Sequence, residues 1–253
     1  LLSIDGQSLE GIDKTLVPDL LQGASGSEVV VTFLRYGAAE SSTVTLEREK
    51  IKLPAVPYRA SIADSTGYII LSQFTRGSSH EVRQAIRYLR DSIGIKQLVL
   101  DLRGNGGGLL QESIGIVNLF VDKGLEVVST RGKKSEWMKS YVTLQEPLVP
   151  DLPLAVLIDE HSASASEIVA GTLQDLDRAV IVGQESFGKG LVQQNKPLAY
   201  GTKLKITVAK YYTASGRCIQ RLDYGGKRSQ DGGAQAVADS MIQVFYTKNG
   251  RPV

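Results

Sequence analysis

Short, mainly apolar segments recur between residues 67 and 183, and they limit the folds open to this chain more than any other feature. Four of them have the length of strands: Gly67–Phe74, Gln97–Leu102, Pro153–Ile158 and Ala179–Val182. Segments with helical spacing lie between them, and the clearest is Ser79–Ile93, with apolar residues at i, i+4, i+7 and i+11. Strands buried on both faces that alternate with helices are typical of parallel sheets. We therefore predict an α/β layered core with largely parallel strands.

The first fifty residues have a different pattern. Ile4–Gln7 contains the Asp-Gly pair of a tight turn, and Asp13–Leu21 has apolar residues at near-helical spacing. Val29–Arg35 and Ser42–Arg48 are rich in β-branched residues and favour strands. Residues 1–50 are therefore predicted to form a small, β-rich domain.

Residues 51–57 contain two prolines and are the best linker candidate, so we expect the core at residues 58–253. Within the core, helices are predicted at Leu109–Phe120 and in a segment that ends near Leu176. Further strands are predicted at Glu126–Ser129 and Lys203–Tyr212. Gly225–Gly233 is polar and rich in glycine, which predicts a loop.

Composition excludes several classes of protein. Lys and Arg total 29 and Asp and Glu total 27, so the net charge of +2 does not indicate a surface for nucleic acid. The single cysteine, Cys218, excludes an intrachain disulfide and a multi-cysteine zinc site. The two histidines, His80 and His161, are far apart in sequence, which argues against a histidine-based metal site. No cofactor is expected.

A glycine-rich loop, Asp101–Gly108, follows the second buried segment. Successive glycines let backbone N–H groups turn toward one point, which suits an anion or a developing oxyanion. A tight turn between a strand and a helix explains the same residues equally well. The spacing of Gly104, Gly106 and Gly108 does not fit the dinucleotide-binding pattern G-x-G-x-x-G.

A serine-rich turn, His161–Glu167, follows the third buried segment. Its small residues permit a sharp turn that leaves a hydroxyl uncovered at the N-terminus of a helix, where negative charge is favoured. Ser164 and Glu167 also fit a capping box, with Ser164 as N-cap and Glu167 at N3. Because three serines alternate here, the sequence alone leaves open which one would react.

A third loop, Gly183–Gly190, is close to the phosphate-binding pattern G-x-x-x-x-G-K-[ST]. Position 190 is glycine, so the hydroxyl that would bind magnesium is missing. The residues that follow do not begin a convincing helix, although the phosphate site needs a helix N-terminus there. A nucleotide-binding enzyme is therefore the weakest of the functions that we consider.

A reactive serine needs a base at neutral pH. His80 lies in the first turn of a predicted surface helix, and His161 has no evident carboxylate partner. A lysine can act as the base when it is desolvated. Lys189 lies between two glycines, where the backbone can bend its amine inward, and serine–lysine pairs are a known variant of the catalytic triad.

Three motifs together resemble those of the carboxyl-terminal processing (tail-specific) proteases, which are serine–lysine peptidases with a crotonase- or Clp-like core. They are Asp101–Gly108, Ser162–Glu167, and Phe187–Gly190 followed by Gln193, and the resemblance runs in order from about Gly67 to Ser215. Residues 1–50 resemble the later part of a PDZ domain, without its beginning, and the core resembles one truncated at its C-terminus. Gly104 stands where the family often has Asn.

The resemblance implies a role for each matching residue. Ser164 resembles the nucleophile, Lys189 the general base, and Gln193 the residue that orients the lysine. The N–H groups of Gly108 and Ala165 would form the oxyanion hole. The expected substrate is a protein or peptide with an accessible C-terminal tail.

The family resemblance also bears on where the protein works. It implies the bacterial periplasm or cell envelope and allows a peripheral association with the membrane. Nucleic acid is not an expected partner, and oligomeric state is left open. An alternative function is a catalytically silent, PDZ-type peptide-binding scaffold, although such a scaffold has no reason to combine Ser164, Lys189 and the glycine loop.

Overall fold

The chain divides into two units, Leu1–Leu53 and Pro54–Val253. The computed structural model describes residues 1–51, 53–63, 65–224, 234–237 and 243–253. The loop predicted at Gly225–Gly233 lies outside the described residues. Ala55, which the sequence placed in the linker, is buried in the core of the second unit.

The first unit is a four-stranded antiparallel sheet in the order β2-β1-β3-β4. Its elements are β1 (Ser3–Ile4), β2 (Gln7–Ser8), a 3-10 turn (Lys14–Leu16), α1 (Val17–Leu21), β3 (Glu28–Phe33) and β4 (Ser42–Glu47). Asp5 and Gly6 have φ of 47° and 80°, as a two-residue hairpin turn requires, and this confirms the predicted tight turn. A small core forms where Ile4, Val29 and Val31 are buried.

The main sheet of the second unit has the strand order β11-β10-β7-β6-β5. Its strands are β5 (Tyr58–Ala63), β6 (Thr66–Ile70), β7 (Gln97–Asp101), β10 (Leu154–Ile158) and β11 (Val180–Gly183). Four of them are parallel, as the apolar segments predicted, and only β5 at the edge is antiparallel. The sequence analysis did not identify β5, because its exposed residues lack an apolar pattern.

Three helices connect these strands: α2 (Ser78–Arg87), α3 (Leu110–Val117) and α4 (Ala165–Asp175). One π-helical turn, Tyr88–Ile93, continues α2 to the end of the predicted helix. Val82, Ile86 and Leu89 are fully buried, as their spacing predicted, whereas Ile93 at the end of the same apolar face is exposed. The helices pack with the parallel strands into one large apolar cluster.

A second sheet of this unit is antiparallel, in the order β12-β13-β8-β9. Its strands are β8 (Glu126–Gly132), β9 (Lys139–Val142), β12 (Leu191–Pro197) and β13 (Lys203–Thr213), and a further pair joins β14 (Leu222–Asp223) to β15 (Gln235–Ala236). Here the expectation of largely parallel strands does not hold. Helix α4 contacts both β11 of the main sheet and β8 and β13 of the second. The fold is therefore a mixed α/β fold in which a helix lies against two sheets.

The three loops selected from the sequence lie at the carboxyl ends of three strands of the main sheet. They follow β7, β10 and β11, which are adjacent and parallel, so their carboxyl ends point the same way. Ligand sites of open α/β sheets occur at these carboxyl ends. The topology thus brings together chain segments that are distant in sequence, from Asp101–Gly108 to Gly183–Gly190.

Candidate active site

The three alternate serines have different environments. Ser162 and Ser166 are fully buried, and their hydroxyls donate to the carbonyl oxygens of Leu102 (2.8 Å) and Asn105 (2.8 Å). Ser164 is only partly buried and lies directly before α4. Of the three, Ser164 is thus the one that faces solvent at the N-terminus of a helix.

The backbone of Ser164 is strained. Its φ of 56° and ψ of −107° lie in a region that residues other than glycine rarely adopt. Such a conformation costs about 1–3 kcal/mol and is found mainly at functional sites. It differs from the extended conformation of an ordinary N-cap. A sharp, strained turn between a strand and a helix is also how α/β hydrolases expose a nucleophilic serine.

The glycine loop packs directly against this turn. A Cβ atom on Gly107 would lie 2.5 Å from the Ala163 carbonyl oxygen and 2.9 Å from both Ala165 N and Ser164 Cβ. Asn105 is buried, its Nδ2 donates to the Leu71 carbonyl oxygen (2.7 Å), and its Oδ1 accepts from Gly107 N (2.9 Å). The close approach therefore requires glycine at position 107, and Asn105 holds the glycine loop in its conformation.

Two backbone N–H groups beside Ser164 are available as donors. Gly108 and Phe74 form an isolated parallel β-bridge, whose hydrogen bonds are made by the residues on either side of Gly108. Phe74 N donates to Gly107 O, and Leu109 N donates to Phe74 O. The N–H of Gly108 therefore points away from that bridge. Within the described ranges, neither Gly108 N nor Ala165 N donates a hydrogen bond. Because a Cβ atom on Gly107 would lie 2.9 Å from Ala165 N, these two donors belong to adjacent stretches of backbone.

The Glu167 carboxylate links the serine turn to the loop after β11. Oε2 accepts from Ser164 N (2.6 Å), as the capping box predicts, and also from Lys189 N (2.9 Å). Oε1 accepts from Gly188 N (2.6 Å) and from the Ser186 hydroxyl (2.9 Å). The backbone nitrogens of Ser164 and Lys189 share one oxygen, so they lie no farther apart than the sum of the two bonds, 5.5 Å.

Lys189 and Gln193 line one cleft of about 460 Å³, which Glu160 also lines but Ser164 does not. Phe187, Leu191, Leu222 and Tyr224 give the cleft much of its apolar surface. Lys189 is exposed rather than turned inward as the sequence analysis expected. In the part of the chain that the structure describes, neither the Lys189 amine nor the Gln193 side chain makes a hydrogen bond or ion pair. The structure thus brings Ser164, Lys189, Gly108 and Ala165 together at the backbone but does not join Lys189 to Ser164 or Gln193 through side chains.

Loop Gly183–Gly190 does not have the geometry of a phosphate site. It is followed by strand β12, whereas nucleotide-binding loops of this pattern lead into a helix. Gly190 N donates to the Gln220 side chain (2.9 Å). The structure therefore supports no nucleotide site here.

Two carboxylates lie at the ends of β7 and β10: Asp101, which the sequence analysis included only as the first residue of the glycine-rich loop, and Asp159, which it did not single out. Burial alone would raise the pKa of Asp101, but bonds from Arg103 and from the Tyr68 hydroxyl outweigh it and lower that pKa below its ordinary value. Burial would likewise raise the pKa of Asp159, and hydrogen bonds from Gly104, His161 and Ser162 lower it. Both groups therefore stay ionised at neutral pH. The contacts of Asp101 with Tyr68 and of Asp159 with Gly104 could not be predicted from the sequence, because these partners are distant along the chain.

Two further classes of feature were searched for in the described residues. No group of three or more His, Cys, Asp or Glu side chains there could hold a metal ion. Among the helices so described, none has the length and hydropathy needed to cross a bilayer.

Comparison with known proteins identifies the family. The chain is 40% identical over 220 residues to the "Carboxy-terminal-processing protease" of Bartonella bacilliformis, which covers 86% of this chain and 50% of the relative. It is 35% identical over 221 residues to the "Probable CtpA-like serine protease" of Staphylococcus aureus, covering 87% of this chain and 43% of that protein. The chain thus spans about half the length of the curated relatives it matches.

A solved structure and a family profile agree with these matches. The photosystem II D1 C-terminal processing protease superposes with a TM-score of 0.60 and 32% identity, covering 87% of this chain and 59% of that one. Residues 65–225 match the profile of peptidase family S41. The predicted resemblance to the carboxyl-terminal processing proteases is confirmed, and the chain belongs to peptidase family S41.

Proposed function

We propose that this chain is the core of a serine endopeptidase that cleaves protein substrates near the C-terminus through a Ser164–Lys189 dyad and an acyl-enzyme. The observation that carries the proposal is the shared Glu167 carboxylate, which keeps the backbones of Ser164 and Lys189 within 5.5 Å, the sum of two bonds. The names of the relatives support both the serine peptidase and the C-terminal site of cleavage.

The reaction begins when the Lys189 amine, in its neutral form, takes the proton of the Ser164 hydroxyl. The Ser164 oxygen attacks the scissile carbonyl carbon, and the carbonyl oxygen becomes an oxyanion. The N–H groups of Gly108 and Ala165 donate to this oxyanion, and one such donor contributes about 3–4 kcal/mol in other serine peptidases. Lys189 then gives the proton to the leaving amine, and water hydrolyses the acyl-enzyme.

Substrate binding would prepare the lysine for this step. Lys189 is exposed in the free chain. Removing water from around a lysine amine disfavours its charged form, so the amine gives up its proton more readily. A peptide in the cleft lined by Phe187, Leu191 and Leu222 would remove water from around Lys189. In this proposal Gln193, which lines the same cleft, orients the amine toward Ser164.

The remaining parts of the proposal concern the architecture and the setting. The helix between a parallel and an antiparallel sheet fits a crotonase- or Clp-like core. The antiparallel sheet of residues 1–53 with its short helix fits the later part of a PDZ domain, which would bind the substrate's C-terminal tail. We further propose that the protein acts in the bacterial periplasm or cell envelope, where it could associate peripherally with the membrane, and that it has no nucleic-acid partner.

The dyad is tested with single variants of the protein at its natural length, using a fluorogenic peptide. Ser164→Ala and Lys189→Ala are expected to abolish cleavage while thermal unfolding is retained. Lys189→Arg should be equally inactive, because a guanidinium keeps its proton. Gln193→Ala should lower the rate by misplacing the base.

The matched control is Lys196→Ala, since Lys196 is an exposed lysine farther along β12. It should cleave at the rate of the unaltered protein. Cleavage that survives in Ser164→Ala or in Lys189→Ala would exclude the dyad, and an unchanged rate in Gln193→Ala would remove Gln193 from the mechanism.

A further inference from the structure

The carboxylate of Asp159 joins two loops that the proposed chemistry must keep in register. Asp159 directly follows β10, and its Oδ1 accepts from the N–H groups of His161 (3.1 Å) and Ser162 (3.0 Å) within its own turn. Gly104, which is 55 residues away, donates its N–H to both oxygens, at 2.9 and 3.0 Å. The carboxylate therefore closes its own turn and also links that turn to the loop after β7.

The two loops that Asp159 joins carry the two proposed oxyanion donors. The loop after β7 leads from Gly104 to the Gly108 N–H, and the turn after β10 leads from Asp159 to the Ala165 N–H. Neither donor makes a hydrogen bond in the ranges that the structure describes, so the spacing between them is set by contacts elsewhere in the two loops. That spacing decides whether both can reach one oxyanion.

Other contacts between these loops involve only neutral groups. The Ser162 hydroxyl donates to Leu102 O (2.8 Å), and Asn105 O accepts from Ala163 N (3.0 Å) and from the Ser166 hydroxyl (2.8 Å). Hydrogen bonds to an ionised acceptor are about twice as strong as neutral ones. Because its pKa is lowered by the bonds it accepts, Asp159 supplies the ionised contact of this set throughout the neutral range.

We propose that Asp159 is a positioning residue that sets the distance between the Gly108 and Ala165 N–H groups by holding the loop after β7 against the turn after β10. The inference rests on the proposed function, because it assumes that these two groups bind the oxyanion. Asp159 does not touch the substrate. Its effect should therefore fall on the transition state and leave substrate binding unchanged.

Three substitutions separate geometry from charge. Asp159→Ala removes every acceptor and should lower kcat roughly 100-fold, as expected when catalytic groups move by about 1 Å, with KM within about threefold. Asp159→Asn keeps Oδ1, which accepts all of the bonds except one branch from Gly104, but it loses the charge and places an NH2 group opposite the Gly104 N–H, so kcat should fall by no more than about tenfold. Asp159→Glu keeps the charge but displaces the carboxylate, and it should lose activity as Asp159→Ala does.

A transition-state analogue gives a readout that a merely structural role would not change. A peptide boronic acid forms a tetrahedral adduct with the nucleophile, and its affinity should fall in Asp159→Ala by the same factor as kcat/KM. The affinity of the uncleaved substrate peptide, measured in a Ser164→Ala background, should be the same with and without Asp159→Ala.

Asp177→Asn is the matched control. Asp177 also accepts a backbone bond, from Asn249 N (2.8 Å), and pairs with Arg251, but it lies at the far end of α4. Equal losses of kcat in Asp177→Asn and Asp159→Ala would overturn the proposal, as would a kcat within about threefold of the unaltered protein in Asp159→Ala or in Asp159→Glu. If Asp159→Ala does not fold, the other two variants test the proposal, because kcat should fall much less in Asp159→Asn than in Asp159→Glu. Activity that survives in Ser164→Ala would instead refute the proposed function.

Discussion

Gly107 lies where a side chain of any size would collide with the nucleophile turn. Its φ is +94°, and a Cβ atom would lie 2.5 Å from the Ala163 carbonyl oxygen, a distance that backbone atoms cannot relieve without moving. Gly106, the residue before it, has open space around the same position and no positive φ. The two neighbouring glycines therefore allow one contact to be tested against a matched control.

Gly107→Ala is expected to lower the free energy of unfolding by about 1–3 kcal/mol and to reduce peptide cleavage, because the loop must withdraw from Ser164. Gly106→Ala should change stability by less than about 0.5 kcal/mol and leave cleavage unaltered. Urea unfolding and a fluorogenic peptide assay measure both effects. Equal behaviour of the two variants would show that the loop does not pack against Ser164 as described.

At the scale of elements, one carboxylate joins two helices. Glu112 on α3 accepts from Gly77 N (2.8 Å), from Ser79 N (2.9 Å) and from the Ser79 hydroxyl (2.6 Å) at the start of α2. These N–H groups have no partner inside their own helix. Burial would raise the pKa of Glu112, but the hydrogen bonds outweigh it and hold that pKa below the ordinary 4.5.

This pairing predicts a pH-dependent contribution to stability. A carboxyl whose pKa is lowered by folding stabilises the fold fully above its unfolded pKa, and the contribution is lost as pH falls through the folded pKa. Glu112→Gln should therefore lower the free energy of unfolding by about 1–3 kcal/mol at pH 7, with a difference that shrinks below pH 4.5 as the carboxyl is protonated. Urea unfolding at several pH values measures this, with Glu146→Gln, an exposed glutamate, as the control. A difference that does not depend on pH would contradict it.

The sequence predicted those elements whose own residues determine them. The strands β7, β10 and β11 are nearly continuous apolar runs, and α2 has a clear apolar face, so each could be found without knowing its neighbours. The strands β5, β9 and β12 were missed. Most of their residues are exposed, and Gln193–Pro197 within β12 is entirely polar apart from its proline. Such segments become strands because a partner strand supplies the hydrogen bonds, and that information lies elsewhere in the chain.

The residues of the candidate site likewise fall into those that a local sequence motif predicts and those that it does not. Ser164, Lys189 and the glycine loop could be selected because each has a local motif, and parallel-sheet topology explains why they meet. The contacts that Asp159 and Glu167 make with distant loops, apart from the capping box of Glu167, could not be predicted. Each carboxylate accepts from N–H groups of a distant loop, and any polar residue can have such a partner once the loops fold.

At the scale of the whole molecule, the two units differ in how much they bury. Among the described residues of Leu1–Leu53 three buried side chains form the core, whereas the large apolar cluster lies wholly within Pro54–Val253. A sheet with so small a core is marginally stable alone. The second unit should therefore fold without the first. Its stability should depend on the residue at which the shortened chain begins.

Two shortened chains, 54–253 and 58–253, test where the second unit begins. The first keeps Ala55, which is buried and accepts from Ser72 N (2.9 Å) and the Ser72 hydroxyl (3.2 Å), and Val56, whose N–H donates to Glu81 (3.0 Å). The second lacks all three bonds, and each contributes about 0.5–1.5 kcal/mol. We expect cooperative urea unfolding of 54–253 and a loss of about 2–4 kcal/mol in 58–253. Equal midpoints would mean that residues 54–57 act only as a connection, as the two prolines at first suggested.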